Sequence, residues 1–253
     1  MPWKVYGAEL SGTALLVFAG LSVVIVDFAP GGAVASLLPD AGLRRLITGF
    51  LFGTTGALVT LSPFGKESGA HINPVVTLGF WMMGRLKTGL VPGYIVSQLI
   101  GAAIGAAALL VWGAMGRSVE FGATMPGYGD VPALAGETAA SFVMVFLLFY
   151  FLRHRFLKPY TPALFPPLYA LMVWLEAPLS GTSTNPARSF GPSLVAGEWH
   201  GWWVYWIGPL LGTLLAVAAH RLAGKRWPRL GVAKVHHFEH DPYRIFHKEP
   251  SLP

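Results

Sequence analysis

The chain has 253 residues, 53% of them hydrophobic and 12% charged, about half the charged share of an ordinary soluble domain. Its mean hydropathy of +0.54 predicts an integral, multi-pass membrane protein, and the lack of cysteine excludes disulfides and thiolate metal sites. A formal net charge of +6 could suggest nucleic acid, but Lys and Arg fall between and after apolar runs, where the positive-inside rule places them, so no nucleic-acid partner is expected.

A membrane span needs ~20 apolar residues, and the chain offers six. No cleavable leader is expected, since Met1 to Tyr6 run directly into the first span, residues 5–27. Pro30-Gly31-Gly32 and Pro39-Asp40 mark a loop before the second span, 43–61, which the stretch 62–67 breaks. A short apolar segment from Asn73 to about Gly84 cannot cross a bilayer and reads as a re-entrant half-helix; such backbone is tolerated at membrane depth only where protein or a water-filled cavity covers it. Span three is 90–113, followed by a loop rich in Gly and Pro over 115–132. Span four is 133–152 and span five 162–178. A second half-helix covers 185–195 and span six covers 202–222. This divides the chain into a membrane domain, 1–222, and a basic tail, 223–253, expected to be cytosolic and partly disordered.

Charge sets the expected orientation. With both termini cytoplasmic, that side holds Lys4, Lys66, Arg85, Lys87, Arg153, Arg155, Lys158 and the tail cations, against Arg44, Arg45 and Arg117 outside. Arg188 belongs to neither group. The expected residence is an inner or plasma membrane.

The two half-helices begin alike. Ser68-Gly69-Ala70-His71-Ile72-Asn73-Pro74-Val75 and Ser180-Gly181-Thr182-Ser183-Thr184-Asn185-Pro186-Ala187-Arg188 each read Ser-Gly, three residues, then Asn-Pro. Asn is a favoured N-cap and Pro suits the first helical position. An Asn whose carbonyl caps the helix keeps its amide NH2 as two donors, and two such helices facing each other bring two positive dipole ends to one point. The repeat extends further: Gly7-Ala8-Glu9 opens span one and Ala135-Gly136-Glu137 opens span four. Each unit (about 5–113 and 133–222) has three spans and one re-entrant motif, so the second copy is inverted. The pairs Gly49/Gly53, Gly101/Gly105 and Gly208/Gly212 would let spans pack closely.

With these motifs the chain resembles the aquaporin, or major intrinsic protein, family over residues 5–222. The resemblance rests on Ser-Gly-Ala-His-Ile-Asn-Pro-Val-Val-Thr-Leu at 68–78, Asn-Pro-Ala-Arg-Ser-Phe-Gly-Pro at 185–192, the repeated Glu9 and Glu137, and 94–101 around Gln98. It implies an all-α fold of six transmembrane helices plus two re-entrant half-helices, a pore within each monomer, a homotetramer in lipid, and no cofactor.

The resemblance also assigns roles. Asn73 and Asn185, with Pro74, Pro186, Val75 and Ala187, form the pore midpoint, Val75 standing where the family usually has Ala. Arg188 belongs to the outer constriction; an intramembrane Arg is a functional hypothesis by default. The other constriction positions fall on Phe52 or Gly53, on Val173 and on Thr182. The His usual in water-selective members and the Trp and Gly usual in glycerol-selective ones are missing, while Ser189 and Tyr205-Trp206 lean towards the water type. Glu9 and Glu137, buried acids, are expected to accept from re-entrant backbone N–H groups, with Gln98 in support. Glu176 is expected at the outer mouth, binding a donor or solvated. His71 borders the inner vestibule, with a hydrogen-bonded structural role favoured over a gate. A solvated tail is favoured over metal binding for His236, His237, His240 and His247, and Trp199, Trp202, Trp203 and Tyr205 read mostly as an interfacial belt.

The leading expectation is a passive channel for water and small neutral solutes. A glycerol, ammonia or metalloid-hydroxide pore is the alternative within transport, and a junction or scaffold protein the alternative outside it. No nucleotide loop or nucleophile–base pair suggests an enzyme, and no pore carboxylate suggests ion-driven transport.

Overall fold

A computed structural model describes residues 2–236 and 238–246. In chain order the helices are α1 (Trp3–Phe28), α2 (Ala33–Leu37), α3 (Ala41–Leu61), α4 (Pro63–Ser68), α5 (Pro74–Met82), α6 (Val91–Ala108), α7 (Gly113–Arg117), α8 (Asp130–Arg153), α9 (Thr161–Ser180), α10 (Pro186–Ala196) and α11 (Val204–Leu222). There is no strand among the described residues, only an isolated antiparallel bridge between Leu86 and Phe246. Six helices are long; α5 and α10 are the two half-helices. Four stretches are long and apolar enough to cross a membrane by length and composition: Trp3–Phe28, Thr88–Arg117, Asp130–Arg153 and Lys158–Ser180. Helices α3 and α11 are of comparable length but carry more polar residues, among them Arg44, Arg45, Thr48, His220 and Arg221.

The expected small pairs all sit at helix crossings. A methyl group at Gly49 or Gly53 would run into the carbonyls of Tyr169 and Phe165, so α3 and α9 touch backbone to backbone. Gly101 and Gly105 of α6 lie on the Leu10 and Ala14 carbonyls of α1, and Gly208 and Gly212 of α11 lie on Glu137 and Thr138 of α8. The last two crossings are the same crossing in the two halves of the repeat. Close approach of this kind drives association where lipid is as apolar as the side chains. On the outer faces of α3, α6 and α9 large aliphatic side chains are exposed instead, as with Leu58, Ile104 and Leu175.

Two segments depart from the sequence expectation. The stretch 62–67 does break α3, but it is itself helical. Ser62 caps α4 by accepting from Phe64 N–H and Gly65 N–H, and Pro63 takes the first turn. The tail differs more. After α11 the chain doubles back across the end of the bundle where α1 begins and α11 ends, here the tail side, and Leu230, Val232, Ala233, Lys234, Val235, Ile245 and Phe246 are buried there. The apolar pattern responsible is too short to register in the sequence. Among the tail histidines, His236 packs edge-on against Phe238 and His240 Nε2 contacts Glu67 Oε2 at 2.9 Å; His237 and His247 lie outside the described residues.

The crossings predict a contrast. Gly53→Ala puts a methyl into the Phe165 carbonyl and is expected to cost the ~1–3 kcal/mol typical of overpacking, read as a lower melting temperature in detergent. Gly7→Ala, with nothing near its side, is expected to be neutral or slightly stabilising, because Ala is the better helix former. Thermal unfolding followed by size exclusion distinguishes the two.

Candidate functional site

The site is built from two loops that the chain cannot support locally. Gly69 (φ +86°) ends α4 and Gly181 (φ +82°) ends α9 in the left-handed conformation. Beyond them Ala70, Ile72, Thr182 and Thr184 also have positive φ, a strained state for residues with a side chain. Two carboxylates hold these loops. Glu9, fully buried, accepts from His71 N–H (2.8 Å), Ile72 N–H (2.7 Å), the Ser68 hydroxyl (2.7 Å) and Gln98 Nε2 (2.7 Å). Glu137, also fully buried, accepts from Ser183 N–H (2.6 Å), Thr184 N–H (2.7 Å) and the Ser180 hydroxyl (2.7 Å). Tyrosines complete each half: Tyr94 donates to the Ser68 carbonyl at 2.7 Å and Tyr205 to the Ser180 carbonyl at 2.8 Å. Tyr205 is therefore buried inside the bundle and not part of an interfacial belt. The exposed members of that aromatic group are Trp199, Trp202 and Trp203.

The loops deliver Asn73 and Asn185 to one place. Asn73 Oδ1 accepts from Val75 N–H, and Asn185 Oδ1 accepts from Ala187 N–H and Arg188 N–H. Pro74 and Pro186 occupy the first turns. Each amide then donates one hydrogen across the repeat: Asn73 Nδ2 to the Thr184 carbonyl and Asn185 Nδ2 to the Ile72 carbonyl, both at 2.9 Å. One hydrogen per amide is thus committed to the opposite loop, where the sequence left both available. Val75 and Ala187 are buried behind the capped turns.

Both Asn side chains line a cavity running towards the tail side, together with Ala70, His71, Thr60 and Val235. A second cavity lies on the far side, lined by Phe52, Tyr169, Val173, Thr182 and Arg188. Phe52 and Tyr169 border both, with ring centroids 5.5 Å apart. Gly53 lines only the tail-side cavity, so of the two α3 candidates Phe52 is the one grouped with Val173, Thr182 and Arg188. Arg188 Nη1 donates to the Gly122 carbonyl at 2.7 Å and its guanidinium carbon lies 5.8 Å from the Phe52 ring centroid.

Tyr169 was not singled out by the sequence. It lies one turn before Val173 on the same face of α9, the i−4 position, and its hydroxyl is 2.8 Å from Thr184 Oγ1. Glu176 is not solvated. It is buried, and its Oε1 lies 2.5 Å from Ser180 Oγ, which also reaches Glu137 Oε1 at 2.7 Å. One hydroxyl hydrogen cannot serve two carboxylates, so the second contact needs a hydrogen on the Glu176 side. His71 is buried between two partners, Thr77 Oγ1 at 3.1 Å and the Ala233 carbonyl at 2.9 Å. Ala233 can only accept there, so Nε2 carries the hydrogen and Nδ1 takes the Thr77 contact.

The comparisons with known proteins bear on this arrangement. The model of the major intrinsic protein family matches residues 1–220. The chain belongs to that family. Aquaporin NIP1-1 of Zea mays is 32% identical over 217 residues, covering 85% of this chain and 73% of its own length. Aquaporin Z of Rhodopseudomonas palustris is 34% identical over 231 residues, covering 86% of this chain and 92% of its own. The X-ray structure of the aquaglyceroporin from Plasmodium falciparum matches with a TM-score of 0.69 over 87% of this chain and 96% of that one, at 16% identity, a likeness of fold. The protein is a membrane channel of the aquaporin type.

Two substitutions separate the roles of the acids in this major intrinsic protein. Glu137→Gln turns an amide NH2 towards backbone donors and is expected to destabilise by at least one unsatisfied buried group, ~1–3 kcal/mol. Glu176→Gln keeps a hydrogen on that side of the Ser180 contact, now from an amide, and is expected to leave the melting temperature unchanged. Thermal denaturation in detergent reads both.

Proposed function

We propose that this channel passes water and small neutral solutes passively and rejects ions and protons at two successive points. The observation that carries the reading is the pairing of Asn73 and Asn185, each capping a half-helix, each tied to the opposite loop, and both lining one cavity. The remaining amide hydrogen on each Asn is a donor for a permeating oxygen. Each half-helix N-terminus contributes roughly half a positive charge, so a cation meets two unscreened positive ends where little water remains to solvate it. In the far-side cavity Arg188 adds a full charge and donors, opposed by the apolar surfaces of Phe52 and Val173. Thr182 and the Tyr169 hydroxyl supply the other polar edge. Selectivity then follows from width, lining donors and an electrostatic barrier.

The same cavity favours a second reading within the class. One wall is apolar (Phe52, Val173) and the other donates hydrogen bonds (Arg188), which suits a small polyol with carbon on one side and hydroxyls on the other; ammonia and metalloid hydroxides are further candidates. Water-only transport is the narrower case. We assign the tail side to the cytoplasm of an inner or plasma membrane, on the excess of Lys and Arg at that end, and a homotetramer as the working assembly.

In proteoliposomes, osmotic light scattering with an impermeant osmolyte is expected to show faster shrinkage than empty liposomes. Repeating it with glycerol reads the polyol path as re-swelling. Arg188→Val is expected to raise proton leak and the entry of larger neutral solutes several-fold while changing water flux little; unchanged leak and solute range would remove Arg188 from the barrier.

A further inference from the structure

The tail reaches the tail-side cavity. Val235 lines it directly, alongside His71 and Thr60. Val235 N–H donates to the Gly69 carbonyl at 2.9 Å, and His71 Nε2 contacts the Ala233 carbonyl at 2.9 Å. Both partners belong to the re-entrant loop that Glu9 holds, so the tail is fastened to the fixed frame of the pore and not to a mobile rim. Lys234 between them is buried; its ammonium donates to the Lys66 carbonyl at 3.1 Å and to the His240 carbonyl, and lies 4.4 Å from the Phe246 ring centroid.

Independent anchors hold the flanks. Arg153 Nη1 donates to the Pro228 carbonyl at 2.9 Å before the segment, and His240 contacts Glu67 beyond it. Further on, Phe246 bridges to Leu86 and Lys87 Nζ donates to the Arg244 carbonyl at 3.4 Å. Lys234, one of the cations that the sequence alone would assign to a solvated tail, is thus used in docking it, together with Lys87 and Arg153 of the bundle.

We propose that residues 230–236 and 238–246 form an autoinhibitory strap that narrows the tail-side mouth of the channel, with Val235 as its stopper. The proposal rests on reading the two cavities as the conducting path. An extended segment held mainly through backbone groups and one buried lysine can leave as a unit, because the Gly69 and Lys66 carbonyls and the His71 ring that it frees can exchange their bonds to the tail for bonds to water. The loop itself stays held by Glu9, so release opens the pore without unmaking it.

The test uses the full chain. Lys234→Glu sets a carboxylate against the Lys66 and His240 carbonyls and is expected to free the strap. Water permeability in proteoliposomes should then rise several-fold over the unaltered chain, and trypsin in detergent should cut the tail faster. Leu86→Cys with Phe246→Cys provides the opposite arm, since the chain has no native cysteine and a bridged antiparallel pair has Cα atoms ~4.5–5.5 Å apart, within disulfide range. Oxidation of that pair should lower the permeability below that of its own reduced form. Equal permeability in all these forms, clearly above empty liposomes, overturns the strap and leaves the channel reading intact. Permeability at the empty-liposome level even where trypsin shows the tail released overturns the channel reading, and the strap falls with it.

Discussion

Two carboxylates buried in apolar helices make this structure possible. A loop that enters a membrane protein from one face and turns back halfway leaves backbone N–H groups without helical partners and without bulk water. Glu9 and Glu137 reach those groups from neighbouring helices, accepting two successive backbone N–H groups and a serine hydroxyl each. A buried carboxylate is costly unless its lone pairs are filled, and these are filled by the loops themselves. Each therefore solves the other's problem. With that pairing in place the left-handed residues of the loops hold, the asparagines arrive at the same point, and the half-helices face one another.

The repeat is closely kept in this frame and broken around it. Ser68 matches Ser180, Tyr94 matches Tyr205, Asn73 matches Asn185, and the glycine crossings of α6 on α1 match those of α11 on α8. The departures are where the two halves of the pore acquire different chemistry. His71 stands opposite Ser183 and turns its ring to the tail-side vestibule, while the second half carries Arg188 and faces the far-side cavity. Gln98 supports Glu9 directly; around Glu137 the extra neighbour is Glu176, which shares Ser180 with it. A symmetric frame fixes geometry and asymmetric linings set direction-specific contacts.

The polar groups that border the two cavities are nearly all used twice. Each Asn caps a helix with its oxygen and ties a loop with one amide hydrogen, leaving a single hydrogen towards the cavity. Arg188 is held by the Gly122 carbonyl while bordering the cavity. Tyr169 ties Thr184 and forms an aromatic wall with Phe52. A donor already fixed by one bond cannot rotate freely, so the direction of its remaining hydrogen is set by the fold.

The sequence by itself determined the spans, the inverted repeat, the two half-helices with their Asn-Pro starts, and the small residues at the crossings. These are legible because each is local: hydropathy over a span's length, a cap followed by proline, glycines four apart on one helix face. It also determined that Glu9 and Glu137 need donors, since an isolated acid in an apolar run has few other uses. Only the tertiary structure decided which residue of the Phe52–Gly53 pair borders the outer cavity, because neighbouring residues on a helix point about 100° apart and one added residue in the following loop exchanges them. Tyr169, the burial of Glu176 beside Glu137, and the inward place of Tyr205 likewise depend on how α8, α9 and α11 are rotated about their axes, which no periodicity reports. The docked tail is the clearest case. Its contacts join Pro228, Ala233, Lys234, Val235 and Phe246 to Arg153, His71, Lys66, Gly69 and Leu86 across long stretches of chain, mostly through backbone groups, and backbone groups carry no sequence signature.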